Sequence, residues 1–236
     1  WGSDLVGHPC FSFDFGDEGH VAFSIESRRE KGEVYGLISS LYKQFELIYV
    51  VAPESDIIRS RTNFRKGEDV YLYRLHIRET TARLRFGEYL SSINRFHAKP
   101  AWYNVITANC TTSVRGQFTT EERNIRDWRI IFNGKLDELI NEKGIFYDKI
   151  PFAELKRRSH INPAAQANPA ADTYSDVIRA GRPGFEGSQA EANNRNGAGR
   201  SVPSGAYFAT RQPREVRADI HSSTATASRP PSSCPG

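Results

Sequence analysis

Cys110 stands in the run Ala108-Asn109-Cys110-Thr111-Thr112-Ser113-Val114. Asn109 and the Thr pair favour a helix start there. A cysteine at a helix N-terminus feels the positive end of the helix dipole, which lowers its pKa and favours the nucleophilic thiolate. The same backbone N–H groups are able to hold a developing oxyanion. The competing reading is a packed, inert thiol, the usual state of free cysteine. The other two cysteines, Cys10 and Cys234, make an odd count with no zinc-type spacing, so neither a disulfide framework nor a zinc site follows.

A nucleophilic cysteine needs a base. Of six histidines, His221 lies in a polar tail, His76 and His97 end a strand and a helix as surface residues, and His160 comes late in R-S-H-I-N. His8 precedes a first strand in V-G-H-P-C-F-S-F, and His20 opens a second in E-G-H-V-A-F. Either can present an imidazole at a sheet end, and for each an exposed structural role competes. A third polar group that orients the imidazole completes a triad-like set. Glu26 is the candidate, against a surface pairing with Arg28 or Arg29 that is worth little. Asn109 and Arg61 are candidate substrate-binding residues, against a helix cap and a surface ion pair respectively. A metal held by Cys110, His8 and Glu26 is a weaker option, and no cofactor is expected. Trp102 and Tyr103 read as core.

The elements that must position these residues follow from hydrophobic spacing. Phe11–Phe15 and Val21–Glu26 alternate apolar and polar residues around a Gly-rich turn at 16–19, predicting a β-hairpin. The span 33–44 has helical spacing. Phe45–Ala52 and Val70–His76 are strand-like, and Ile57–Asn63 extends the chain between them. Thr80–Phe96 predicts an amphipathic helix with Ala82, Phe86, Tyr89, Leu90 and Ile93 on one face. Leu136–Glu142 and Ile150–Arg158 add short helices. Strands with helices to one side predict an α+β fold with an antiparallel sheet.

Composition divides the chain. Leu stops at Leu155 and Lys at Lys156. Residues 1–162 are expected to form one domain. Residues 163–236, rich in Ala, Ser, Pro, Gly and Arg, are expected to be a mostly disordered tail, with a short helix around Asp172–Ala180. The net charge of +4 is spread among both signs, which argues against nucleic-acid binding. No stretch reaches the ~20 apolar residues that span a bilayer, and no signal peptide is visible. With Trp1 first and no Met, the chain reads as a fragment or a processed product.

Several long segments, in order, carry a resemblance: H-P-C-F-S-F-D-F-G-D at 8–17, S-I-E-S-R-R-E-K-G-E at 24–33, Q-F-E-L-I-Y-V at 44–50, R-T-N-F-R-K-G-E-D-V-Y-L-Y at 61–73, W-Y-N-V-I-T-A-N-C-T-T at 102–112, D-W-R-I-I-F-N-G at 127–134 and P-F-A-E-L-K-R-R-S-H-I-N at 151–162. Together they resemble the bacterial Lnb N-terminal periplasmic domain family across residues 1–162. The chain departs from the family pattern at Ala108, where Asn is usual, and at Pro9-Cys10, where a Thr more often follows the His.

The resemblance implies a cell-envelope protein, periplasmic or membrane-associated. The name-giving members join this domain to a membrane part and transfer an acyl chain within lipoproteins. The order His-first, Cys-later is similar to that of permuted papain-like enzymes of the NlpC and lecithin:retinol acyltransferase type. Carried over by position, His8 takes the base role, Cys110 the nucleophile, and Glu26, or else His20, the orienting role. The implied activity is a thiol acyltransferase or hydrolase acting on an ester or amide of an envelope lipoprotein, lipid or peptide. The alternative is a non-catalytic periplasmic binding domain.

Overall fold

The computed structural model describes residues 7–28, 46–100, 102, 127–130, 133–147, 150–185 and 205–213. The 33–44 helix, Tyr103, Asn109, Cys110 and Cys234 lie outside the described residues. The architecture is α+β around a five-stranded, wholly antiparallel sheet in the order β3-β2-β1-β5-β4. Strands β1 (His8–Asp14) and β2 (His20–Arg28) form the expected hairpin. Its turn runs through Gly16 (φ 68°) and Gly19 (φ 93°), left-handed positions that glycine adopts without strain. Strands β3 (Glu46–Pro53) and β4 (Glu68–Arg74) are the edges.

Between β3 and β4 the chain is helical, not extended as the sequence suggests. Helix α1 (Glu54–Arg59) runs on into a π-helical turn (Ser60–Phe64). Ile58 packs onto this face of the sheet with Cys10, Leu72 and Ala209, and Ile57 is buried too. Helix α2 (Glu79–Ala98) covers the opposite sheet face with Ala82, Phe86 and Tyr89. Phe13 meets Phe23, Phe86 and Tyr89 edge-on at centroid distances of 5.5, 5.4 and 5.9 Å, the geometry the ring quadrupole favours. Leu90, expected on that face, is 43% exposed, and Trp102, expected in the core, is 49% exposed. Leu90 directly follows Tyr89, and the helical turn carries it off the stripe that Ala82, Phe86, Tyr89 and Ile93 share. Trp102 meets the sheet through a backbone bridge to Glu46.

Helices α3 (Leu136–Glu142), α4 (Phe152–Ser159), α5 (Asn162–Ala167) and α6 (Tyr174–Arg179) follow. The last matches the short helix expected around 172–180. The composition-based expectation of disorder does not extend to residues 205–213. They form β5, which fills the slot between β1 and β4, pairing with β1 over 205–211 and with β4 over 207–213. Ala206 and Phe208 point into the core under α2, and Tyr207 and Ala209 into the core under α1, α5 and α6. A strand buried on both faces needs no apolar–polar alternation, and its small alanines let both layers approach.

Candidate functional site

The hairpin register builds the site. Cys10 sits opposite Ser24. Strand side chains alternate between faces, so His8, two residues before Cys10, lies beside Glu26, two residues after Ser24, all on one face. The π-helical turn brings Arg61 down onto this face. Arg61 is 2% exposed, so the expected surface ion pair is instead a buried one. Its Nη2 donates to Ser24 Oγ at 2.8 Å and to Glu26 Oε1 at 2.6 Å. Ser24 Oγ donates to Glu26 Oε1 at 3.1 Å, and His8 Nε2 lies 2.9 Å from Ser24 Oγ. Direct His8 Nε2 to Glu26 Oε1 separation is 3.8 Å. Arg65, on the chain just past the turn, stands 3.9 Å from the other Glu26 oxygen.

The turn that carries Arg61 is itself clamped by α5 and α6. Thr62 Oγ1 and the Tyr174 hydroxyl share a hydrogen bond at 3.0 Å, Asn63 donates to the Ala165 carbonyl at 3.0 Å, and Gln166 donates to the Thr62 carbonyl at 2.7 Å. The start of β1 is fixed differently. Gly7 N–H donates to Asn133 Oδ1 at 3.0 Å, and a Cβ on Gly7 would lie 2.6 Å from the Asn133 carbonyl oxygen. Only glycine lets the 133–134 backbone come this close to the residue before His8.

Burial works against the Glu26 charge, but His8 and then Arg61, by charge and hydrogen bond, hold its carboxyl down at about 2. A carboxylate depressed in the folded state contributes stability that is full above its ordinary value of 4.5 and is lost as pH falls toward 2. At neutral pH that contribution is on the order of 3 kcal/mol. We expect Glu26→Gln to flatten the fall in urea midpoint between pH 6 and pH 3; a variant with the same pH slope as the parent would show that Glu26 is not held in this way.

His20 is the unused alternative. It sits at the far end of the hairpin, about 20 Å along β1 from His8 at strand rise. Its Nε2 is 3.7 Å from Asp14 Oδ1 and its ring packs on Tyr207. Burial, then the nearby Arg179, pushes its pKa down. Cys10 is a packed thiol beneath Arg61: burial pushes its pKa up, against the pull of Arg61. Arg28, once a candidate partner for Glu26, pairs with Glu46 at 3.3 Å. Among the described residues no group of three His, Cys, Asp or Glu side chains can hold a metal ion.

The structure therefore brings His8, Glu26 and Arg61 together and adds Ser24, Gly7 and Asn133, which sequence reasoning missed. A period of two applied from Glu26, together with the hairpin register, puts Ser24 between His8 and Arg61. Nothing local marks Asn133, which lies 126 residues from its partner Gly7.

The family model for the Lnb N-terminal periplasmic domain matches residues 2–134, more than half of the chain. No curated protein and no solved structure matches it. Among the described residues no helix is long and apolar enough to cross a membrane.

Proposed function

The chain belongs to the Lnb N-terminal periplasmic domain family, and on that footing we propose that it is a cell-envelope thiol enzyme, an acyltransferase or hydrolase, with Cys110 as nucleophile and His8 as base. The observation that carries this reading is the setting of His8. Its Nε2 is held 2.9 Å from a buried serine that is itself bonded to an ionised carboxylate and a buried guanidinium. A histidine on the surface for solubility needs no such support, whereas a general base needs a fixed ring.

In this mechanism His8 takes the Cys110 thiol proton. The sulfur attacks the carbonyl carbon of an ester or amide, and the carbonyl electrons move to oxygen. Collapse breaks the bond to the leaving alcohol or amine, which takes the proton back from the imidazolium. A thioester remains. Water or an acceptor amine then attacks it, with His8 again taking the proton, and the thiolate leaves. Asn109 binds the substrate beside Cys110. Glu26, Ser24 and Arg61 position His8 from behind; Arg61, buried as it is, acts through Glu26. The substrate is an envelope lipoprotein, lipid or peptide, reached through a membrane part on a fuller-length protein.

One observation favours a second reading. Arg61, Arg65 and Glu26 also form the network expected of a purely structural support, as in a non-catalytic binding domain with a packed Cys110.

The test is the pH-dependence of iodoacetamide alkylation, mapped to Cys110 by peptide mass, in the intact domain and in His8→Ala. Reaction well below the ordinary thiol pKa of ~8.5, lost without His8, is the expected result. A Cys110 that reacts only after unfolding overturns the enzyme reading and leaves the binding domain.

A further inference from the structure

We infer that Ser24, and not Glu26, is the group that holds the His8 imidazole, and that this contact fixes His8 as the Nε2–H tautomer with its lone pair on Nδ1. Proton accounting leads there. Ser24 Oγ has three polar neighbours at hydrogen-bond distance: His8 Nε2 at 2.9 Å, Glu26 Oε1 at 3.1 Å and Arg61 Nη2 at 2.8 Å. A hydroxyl has one proton and two lone pairs. Arg61 is always protonated and only donates, so it takes one lone pair.

The remaining proton goes either to Glu26 or to His8. Glu26, ionised, only accepts. Giving the proton to His8 would leave Ser24 Oγ facing a charged carboxylate oxygen at 3.1 Å with only the shared Arg61 N–H to bridge them, whereas Ser24 Oγ is placed to donate to Glu26 Oε1. Giving it to Glu26 satisfies both oxygens and leaves one lone pair on Ser24 facing His8. His8 Nε2 must then be the donor. Glu26 does not take over this role, because its oxygen stands 3.8 Å from Nε2, outside hydrogen-bond range.

The consequence deepens the proposed mechanism, and only this step rests on it: the nitrogen that accepts the Cys110 proton is Nδ1. Ser24 is a positioning residue. It passes the negative charge of Glu26 to the ring by orienting a dipole, without either oxygen touching the reacting atoms. Arg61 sets the direction of that dipole by occupying the competing lone pair.

The test is nitrogen-15 NMR of the full chain labelled at histidine, with His8 assigned by comparison with His8→Gln. At a pH where His8 is neutral we expect a pyrrole-like Nε2, a pyridine-like Nδ1, and an Nε2–H proton that exchanges slowly with water. Ser24→Ala is expected to lose that protection, with exchange faster by about tenfold, the value of one hydrogen bond. Glu26→Ala frees the Ser24 proton to turn toward His8, and the Nδ1–H form is expected to rise. A pyridine-like Nε2 in the unmodified chain overturns the assignment, and so does Ser24→Ala with the parental exchange rate. Should Ser24→Ala fail to fold, the parental spectrum decides alone. Because the tautomer is read without any thiol chemistry, an inert Cys110 beside an Nε2–H His8 would sink the enzyme reading and leave this one standing.

Discussion

Ending the chain at residue 204 should abolish cooperative folding. The deletion removes β5, which pairs with all seven residues of β1 on one side and all of β4 on the other. It takes Phe208 and Ala209, both at 0% exposure, out of two cores at once. Truncating one buried Phe to Ala already costs about 3–5 kcal/mol. A whole domain is stable by only about 5–15 kcal/mol. Losing five buried side chains and the hydrogen bonds of two strand edges exceeds that range. The expected result is loss of the cooperative thermal transition and of amide dispersion in the truncated chain. A truncated chain that melts cooperatively within a few degrees of the parent would show that β1 and β4 close without β5.

The second large effect lies beside the first. Glu54 is fully buried at the start of α1, and its two oxygens accept from Arg179 Nη1 at 2.7 Å and Nη2 at 2.6 Å. Ser175 adds a third hydrogen bond at 2.7 Å. The Arg179 guanidinium also lies 4.4 Å from the ring centre of Tyr207 in β5, and Tyr207 donates to Asp14 at 2.9 Å. Removing one partner of such a pair strands a buried charge and costs about 3–5 kcal/mol. Glu54→Ala is expected to lose that much in urea unfolding, and Glu54→Leu with Arg179→Leu to recover most of it, because no charge is then left inside. Equal losses in the single and double variants would mean that packing, not the stranded charge, sets the cost. The pair also titrates. Burial raises the Glu54 carboxyl, but Arg179 outweighs it and holds the group at about 2. Its stabilisation is therefore full above about 4.5 and fades as pH falls toward 2.

Local pattern made much of the fold legible. Alternating F-S-F-D-F and the Gly-rich turn specified the hairpin, and the spacing of Ala82, Phe86, Tyr89 and Ile93 specified α2. The site was half legible: His8, Glu26 and Arg61 were named from residue type and resemblance, and they converge in space. Ser24 was missed because a serine in a strand carries no signal until its register partner is known. Arg61 was read as exposed because an arginine in R-S-R-T-N gives no hint that a π-helical turn will press it onto a sheet. β5 was missed because an average over a polar, Pro- and Gly-rich stretch hides a strand whose residues 206–210 are buried only once it lies between β1 and β4. Its partners lie more than 130 residues upstream.

That separation has a consequence for how the molecule comes into being. A chain made from its N-terminus presents β1 and β4 long before β5 exists. Until residues 205–213 arrive, the sheet has an open slot with two unpaired edges, the kind of surface that invites pairing with other chains. His8 stands on one of those edges, opposite Arg211 of the late strand. Contacts this distant in sequence fold slowly, since loop entropy must be paid before any pairing forms. The candidate catalytic base is thus set in a finished sheet only once residues 205–213 have been delivered, and maturation of the site is timed by the arrival of β5.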